Sequence, residues 1–195
     1  MATTKYIVDN QAGQTIEGEP ILKPYKIYTS LVTQSGGNDN YDQSSEDLLI
    51  GRTYLIDNND GNADWTNVGA PNNNLGTYFV ATGTTPNAWG NGTLQYNTGA
   101  PVVTVLENTI GNIWFTYNST GQYYINSNGL FTINKTISYI SPNFVYESFD
   151  LPYITHTNVS ANEDIIVLKS FDNITPSNNI IGFIGQYYLE IRVYN

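Results

Sequence analysis

The chain has 195 residues, no Cys, one His, and a net charge of −10 from 7 Lys+Arg against 17 Asp+Glu. That length suits one domain, or one domain plus an anchoring arm, and is enough to bury a hydrophobic core. Without cysteine there are no disulfides, Cys-based zinc sites or thiol chemistry, and the acidic balance with so few basic residues disfavours a nucleic-acid surface.

Charged residues make up 12% of the chain, about half the usual ~25%. Polarity comes instead from amides and hydroxyls, with 26 Asn and 22 Thr, which suit turns and exposed strand faces better than helices. The start, MATTKYIVDN, lacks the apolar run and cleavage site of a secretion signal. No stretch approaches the roughly 18 apolar residues of a membrane-spanning helix.

In chain order, residues 1–24 hold one apolar strand-like stretch, Tyr6-Ile7-Val8, then a polar Gly-containing segment, then Thr15-Ile16 and the Pro20…Pro24 pair. Prolines so spaced favour extended chain. This segment reads as an arm or anchor, or equally as an edge strand of the domain that follows. Residues 35–43 and 57–74 are long polar loops. Between them SSEDLL (44–49) is the best helical candidate, with Ser44 as N-cap and acids in the first turn.

Elsewhere the period is 2. Strands are expected at 52–56, 76–82, 93–96, 101–107, 112–118, 122–127, 130–140, 144–149, 164–170 and 187–194. Turn pairs such as Asp60-Gly61, Asn91-Gly92 and Asn128-Gly129 punctuate them. The run 112–140 reads as a three-stranded meander. Short strands at this spacing, without a βαβ pattern, predict an all-β fold: an antiparallel β-sandwich or jelly roll. The expected organisation is an extended N-terminal arm (1–24) and a single β-domain (25–195).

No catalytic set emerges. The one histidine, His156, sits among β-branched residues without a nucleophile motif. Glu107, Glu147, Glu163 and Glu190 could supply a glycosidase pair, but outward placement on strands explains them equally well. The run Asp57–Asp64 is oxygen-rich. An EF-hand register fails, since Gly61 at the sixth position puts Ile56 at the first, so a solvated Asx turn is the favoured reading and a non-EF calcium loop the alternative. The N-x-[ST] triplets at Asn91, Asn118, Asn134, Asn158 and Asn173 are about as many as chance gives this composition, and carry no evidence of glycosylation. No metal and no cofactor is expected. Among aromatics, Trp114 lies in an apolar strand and is expected in the core. Trp65 and Trp89 lie in loop-like segments and are the candidates for an exposed interface or for stacking on a sugar.

Three stretches resemble surface proteins of tailed-bacteriophage capsids. TKYIVDNQAGQTIEGEPI (4–21) resembles the openings of fibre and capsid-surface proteins. GRTYLIDNNDGNADWTNVGAPNNNLGTYFVATG (51–83) resembles a module of phage structural proteins, through Tyr54, Ile56, Asp64, Trp65, Gly69, Ala70, Gly76, Phe79, Ala81 and Gly83. PVVTVLENTIGNIWFTY (101–117), with Leu130-Phe131-Thr132 and the EIRVYN end, resembles head-associated proteins of phages of Bacteroidota, crAss-like phages among them. The resemblance implies a virion structural protein on the capsid exterior, an auxiliary (decoration) or head-fibre protein assembled in the bacterial cytoplasm. It implies binding without catalysis, the major capsid protein as partner, and self-association as a dimer or trimer, with no nucleic acid or membrane bound. Tyr6, Ile7, Val8 and Ile16 are the expected capsid-anchor residues. The alternative is a receptor- or carbohydrate-binding fibre domain using Trp65 and Trp89.

Overall fold

The computed structural model describes residues 6–9, 15–18, 24–34, 37–132, 134–142, 153–156, 165–169, 171–172, 175–176 and 187–195. In chain order their strands are β1 (Tyr6–Asp9), β2 (Thr15–Gly18), β3 (Tyr25–Thr33), β4 (Asn40–Gln43), β5 (Thr53–Asn58), β6 (Tyr78–Val80), β7 (Thr93–Asn97), β8 (Val102–Asn108), β9 (Ile113–Ser119), β10 (Gln122–Ser127), β11 (Thr136–Pro142), β12 (Tyr153–His156), β13 (Ile165–Lys169), β14 (Phe171–Asp172), β15 (Thr175–Pro176) and β16 (Tyr187–Tyr194). The helical content of these residues is one 3-10 turn at Thr66–Val68.

The fold is all-β and antiparallel, a sandwich, as the alternation predicts. One sheet runs β11-β16-β3-β8 and the facing sheet β12-β13-β10-β9. Strand β16 carries the pattern most plainly. Tyr187, Leu189, Ile191 and Val193 are buried, and the intervening residues are half exposed. From the facing sheet Phe115, Tyr123, Ile125, Ile166 and Leu168 meet them in one hydrophobic cluster. Each such fully buried side chain contributes about 1.5–3 kcal/mol.

Strand β3 was not expected. It is the longest of the described strands, pairing with β16 on one side and β8 on the other. Ile27, Tyr28, Thr29, Ser30 and Val32 are all buried. An interior strand covered on both faces shows no period of 2, and its hydroxyl residues mask it further.

Between β3 and β8, hydrogen-bonded neighbours in one sheet, the chain makes an excursion of more than sixty residues. It forms a third sheet, β4-β7-β5-β6, with its own hydrophobic cluster of Tyr54, Ile56, Trp65, Val68, Phe79, Leu94 and smaller residues. The excursion is stitched to β8 at Gly51. The Gly51 N–H donates to Ala81 O, and the Val103 N–H donates to Gly51 O at 2.9 Å. Gly51 has φ +84, and a Cβ there would lie 2.0 Å from Val103 O; only glycine allows that approach.

Three expectations are corrected. Residues 44–49 are not helical: Glu46 lies at φ 73, which stops a helix. The Gln43 side-chain amide donates to the carbonyls of Ser45 and Asp47, and Leu48 drops into the second cluster. The meander also fails at its third strand. β9 and β10 pair across Thr120-Gly121, but β10 takes β13 as its other neighbour, while β11 joins β16 in the opposite sheet. The Asn128-Gly129 corner switches sheets because Ser127 Oγ accepts the N–H groups of Leu130 and Phe131, and Phe131 is buried in the main core. Trp114 is only partly buried, at the margin of that core. In the N-terminal segment, β1 and β2 pair antiparallel as a sheet of their own. The strand expected at 144–149 lies outside the described residues.

Candidate functional site

Trp65 is not a surface residue. It is completely buried, at the centre of the excursion's cluster, with Trp89 half buried and edge-on to it at 6.3 Å. What misleads is its flank of polar loop residues. These hold the loops without strands, by amide and carboxylate bonds to the backbone and to one another. Asn73 Oδ1 accepts the Trp65 N–H, and Asn59 donates to Asn73 O at 2.6 Å. Asp64 takes the N–H and hydroxyl of Thr66 and the side-chain amides of Asn73 and Asn87. These bonds, those of Thr66 first, hold the Asp64 carboxyl far below the usual carboxylate range. Asp60 is lowered in the same sense, chiefly by the Asn62 N–H, with Asn91 adding to it. The oxygen-rich run 57–64 is therefore a cross-linked set of Asx turns. Among the described residues, no three acidic or histidine side chains are grouped to hold a metal ion.

The aromatic and amide side chains that do meet solvent together line a cleft between the excursion and the sandwich, about 370 Å³ in volume. Alternation on β5 builds it. Tyr54 and Ile56 point into the excursion's core, while Thr53 and Leu55 line the cleft. Thr53 Oγ1 accepts the Phe115 N–H at 3.0 Å, joining the cleft's two walls. A second bond across the junction runs from Asn112 Nδ2 to Tyr78 O at 2.8 Å, beneath a parallel stack of Tyr78 on Trp114 with centroids 5.6 Å apart.

The mouth of the cleft is amide-rich. Asn97 Nδ2 donates to Asn38 O and Asn40 Oδ1, and Gln95 Nε2 donates to Asp42. Tyr96, on the same wall, is fixed between Tyr41 and Tyr54, with the Arg52 guanidinium 4.3 Å over its ring. Tyr117 stands on the opposite wall, edge-on to Tyr123. The sequence points to none of these residues individually. Their only signal is Tyr set beside Asn or Gln, as in Gln95-Tyr96-Asn97 and Tyr117-Asn118.

A second exposed surface is the outer face of β11 and β16. Ile137 and Tyr139 are more than half exposed beside Tyr188, Glu190, Arg192 and Tyr194. Glu190 pairs with Arg192 and accepts from the Tyr188 hydroxyl. Partial burial and then that bond push the Tyr188 hydroxyl up. Glu107 and Glu190 flank Thr29 on neighbouring strands; Glu147 and Glu163 lie outside the described residues. His156 is at the end of β12, paired with Ile166. Of the anchor candidates, Tyr6, Ile7 and Val8 lie on β1 and Ile16 on β2, with Val8 and Ile16 directly paired.

In comparison with known proteins, the chain matches no family model, no curated protein and no solved structure.

Proposed function

We propose that this chain is a structural protein of a tailed-phage virion, carried on the capsid exterior as an auxiliary (decoration) or head-fibre protein, and that it works by binding alone. What carries this reading is that three stretches of one chain resemble phage structural proteins and, together with the short matching segments, cover about two fifths of its length. Most of the quoted positions in the middle stretch are core positions of the excursion, among them Tyr54, Ile56, Trp65, Ala70, Phe79 and Ala81. The likeness is therefore one of architecture, which suits a module reused among structural proteins better than a shared reaction centre.

The partners in this reading are the major capsid protein and further copies of the chain. The β1–β2 ladder has no third strand among the described residues, so it offers edges for strand addition to a capsid protein. Self-association as a dimer or trimer about a symmetry axis, repeated over a shell, makes modest single-site affinity sufficient. The net charge of −10 keeps particles apart and off nucleic acid. The test is co-sedimentation with capsids of the full chain and of a chain lacking residues 1–20. Loss of sedimentation on truncation is expected, and undiminished binding sinks the anchor. Absence of the full chain from purified virions sinks the whole reading.

A further inference from the structure

We infer that the cleft between the excursion and the sandwich is a binding site for a neutral saccharide. The inference stands on the cleft and does not depend on the capsid reading. Three features of the cleft point the same way.

The first is charge. Among the described residues that line the cleft, none is ionisable at neutral pH. The nearest charges are engaged on the wall itself, Arg52 over the Tyr96 ring and Asp42 on the Gln95 amide. A charged ligand would therefore leave water for lining side chains that carry no counter-charge, and the chain's acidic excess disfavours phosphates and other anions in particular.

The second is the donor and acceptor set. Asn38, Asn40, Gln95 and Asn97 present side-chain amides along one wall. Asn97 is spent on its neighbours, through bonds to Asn38 O and Asn40 and from the Gly99 N–H. The Asn38 amide, Asn40 Nδ2 and Gln95 Oε1 have no hydrogen-bond partner among the described residues. Each primary amide offers a donor and an acceptor side by side. Vicinal hydroxyls on a sugar ring, each able to donate and accept, match that pairing.

The third is the aromatic content. Tyr78, Tyr96 and Tyr117 line the same cleft, and two of them are held by ring contacts that fix their orientation, Tyr78 by Trp114 and Tyr96 by Tyr41 and Tyr54. Rigid tyrosine rings supply apolar contact area at low entropic cost. The Tyr96 ring is already covered by Tyr41 and Arg52, so a sugar ring has its apolar C–H face to lay on Tyr78 or Tyr117 and a hydroxyl rim to meet the amides. The volume, about 370 Å³, falls at the small end of the ~300–1,000 Å³ range of small-molecule sites, which fits the end of an oligosaccharide rather than a long chain. The carbohydrate contacts thus belong to Gln95, Asn38 and Tyr78 and not to Trp65.

The experiment uses the full chain. A glycan array of neutral and acidic oligosaccharides is followed by calorimetric titration with maltose, cellobiose, lactose, N,N′-diacetylchitobiose and α-mannobiose. At least one neutral sugar is expected to bind. The double variant Asn38→Ala/Gln95→Ala, altered at surface side chains, is expected to weaken that binding about tenfold or more with unchanged melting temperature. Tyr78→Ala weakens it independently, and Trp89→Ala, outside the cleft, leaves it unchanged. Four results overturn the proposal: no neutral glycan above background on array and in titration, binding restricted to acidic glycans, binding that survives both cleft variants, or binding lost equally in Trp89→Ala. None of them bears on co-sedimentation with capsids, so the two readings fail separately.

Discussion

Replacing Trp65 with alanine tests the two-core architecture and the reassignment of this residue together. Trp65 is fully buried. A Cβ built on Gly92 would come within 2.5 Å of its Cη2 and within 2.8 Å of the Ala63 Cβ, so the pocket is closed tightly around the ring. A buried aromatic removes about 150–250 Å² from water, which at about 25 cal/mol/Å² is roughly 4–6 kcal/mol. The extended-chain reference inflates that figure by about 10–40%, and measured Trp→Ala costs in cores are about 3–5 kcal/mol. The backbone bonds of residue 65 to Asn73, Val68 and Ala70 survive the substitution. About 4 kcal/mol is then a large share of the ~5–15 kcal/mol of a typical domain.

The loss should also be local. Trp65 packs with Leu94, Phe79 and Tyr54 and has no place in the sandwich cluster. Hydrogen exchange read by mass spectrometry, beside urea denaturation, is the assay. Amides of β5, β6 and β7 should lose protection, while those of β10 and β16 keep theirs. Trp65→Phe should cost far less, because the indole Nε1 is buried without a partner among the described residues and its removal relieves a desolvated donor. A cost for Trp65→Ala below about 0.5 kcal/mol, the level of an ordinary surface substitution, would refute the burial. Equal loss of protection in both sheets of the sandwich would refute the independence of the two cores.

Two further predictions concern the loops and the junction. Gly51→Ala forces a Cβ against Val103 O at a positive φ, and is expected to destabilise by about 2 kcal/mol or more, read as a lower urea midpoint; an unchanged midpoint contradicts the close approach. For Asp64, hydrogen bonding holds the folded carboxyl below its ordinary value of 3.8. The stability it contributes is thus fully present above that value and is lost as pH falls through about 4 toward the folded pKa. Thermal melts from pH 6 to pH 2 should show this acid loss. Asp64→Asn should lower the melting temperature at pH 6 and flatten the dependence below pH 4, and an acid limb identical to that of the parent chain contradicts the assignment.

Legibility of the fold followed burial geometry. Strands with one wet face, such as β16 and β10, wrote their period into the sequence, as did the hairpin at Thr120-Gly121. Strand β3 did not, because Lys26, Thr29 and Ser30 interrupt any apolar run and both of its faces are covered. The choice of sheet for β11 was also illegible. Asn128-Gly129 has the composition of a tight hairpin, and the chain is diverted by Ser127 Oγ and by the burial of Phe131, two contacts of tertiary origin. The burial of Trp65 is hidden in the sequence for a related reason. A loop rich in Asn and Asp is ordinarily solvated, but here those side chains replace a sheet ladder in satisfying the backbone, which lets an irregular segment enclose a tryptophan.

The same substitution of amides for ladders explains the composition. Asparagines join segments far apart in sequence, Asn87 to Asp64, Asn91 to Asp60 and Asn112 to the Tyr78 carbonyl. A chain so poor in ions therefore has many fixed polar contacts without many charges. The cleft shows what that permits. Ionisable side chains would set up a field selecting for a charged ligand, whereas neutral amides beside immobilised tyrosines discriminate by the geometry of hydroxyl groups alone. Asn97, whose side chain is consumed in holding Asn38 and Asn40, belongs to the scaffold of that wall. Gln95 keeps an acceptor free among the described residues after anchoring on Asp42. If the cleft were only a structural seam between the two cores, its unspent amides would gain by pairing across it, as Thr53 and Asn112 do elsewhere in the junction. Among the described residues, Asn38, Asn40 and Gln95 keep side-chain capacity at the mouth that water fills, and a ligand whose hydroxyls reproduce those bonds can displace that water.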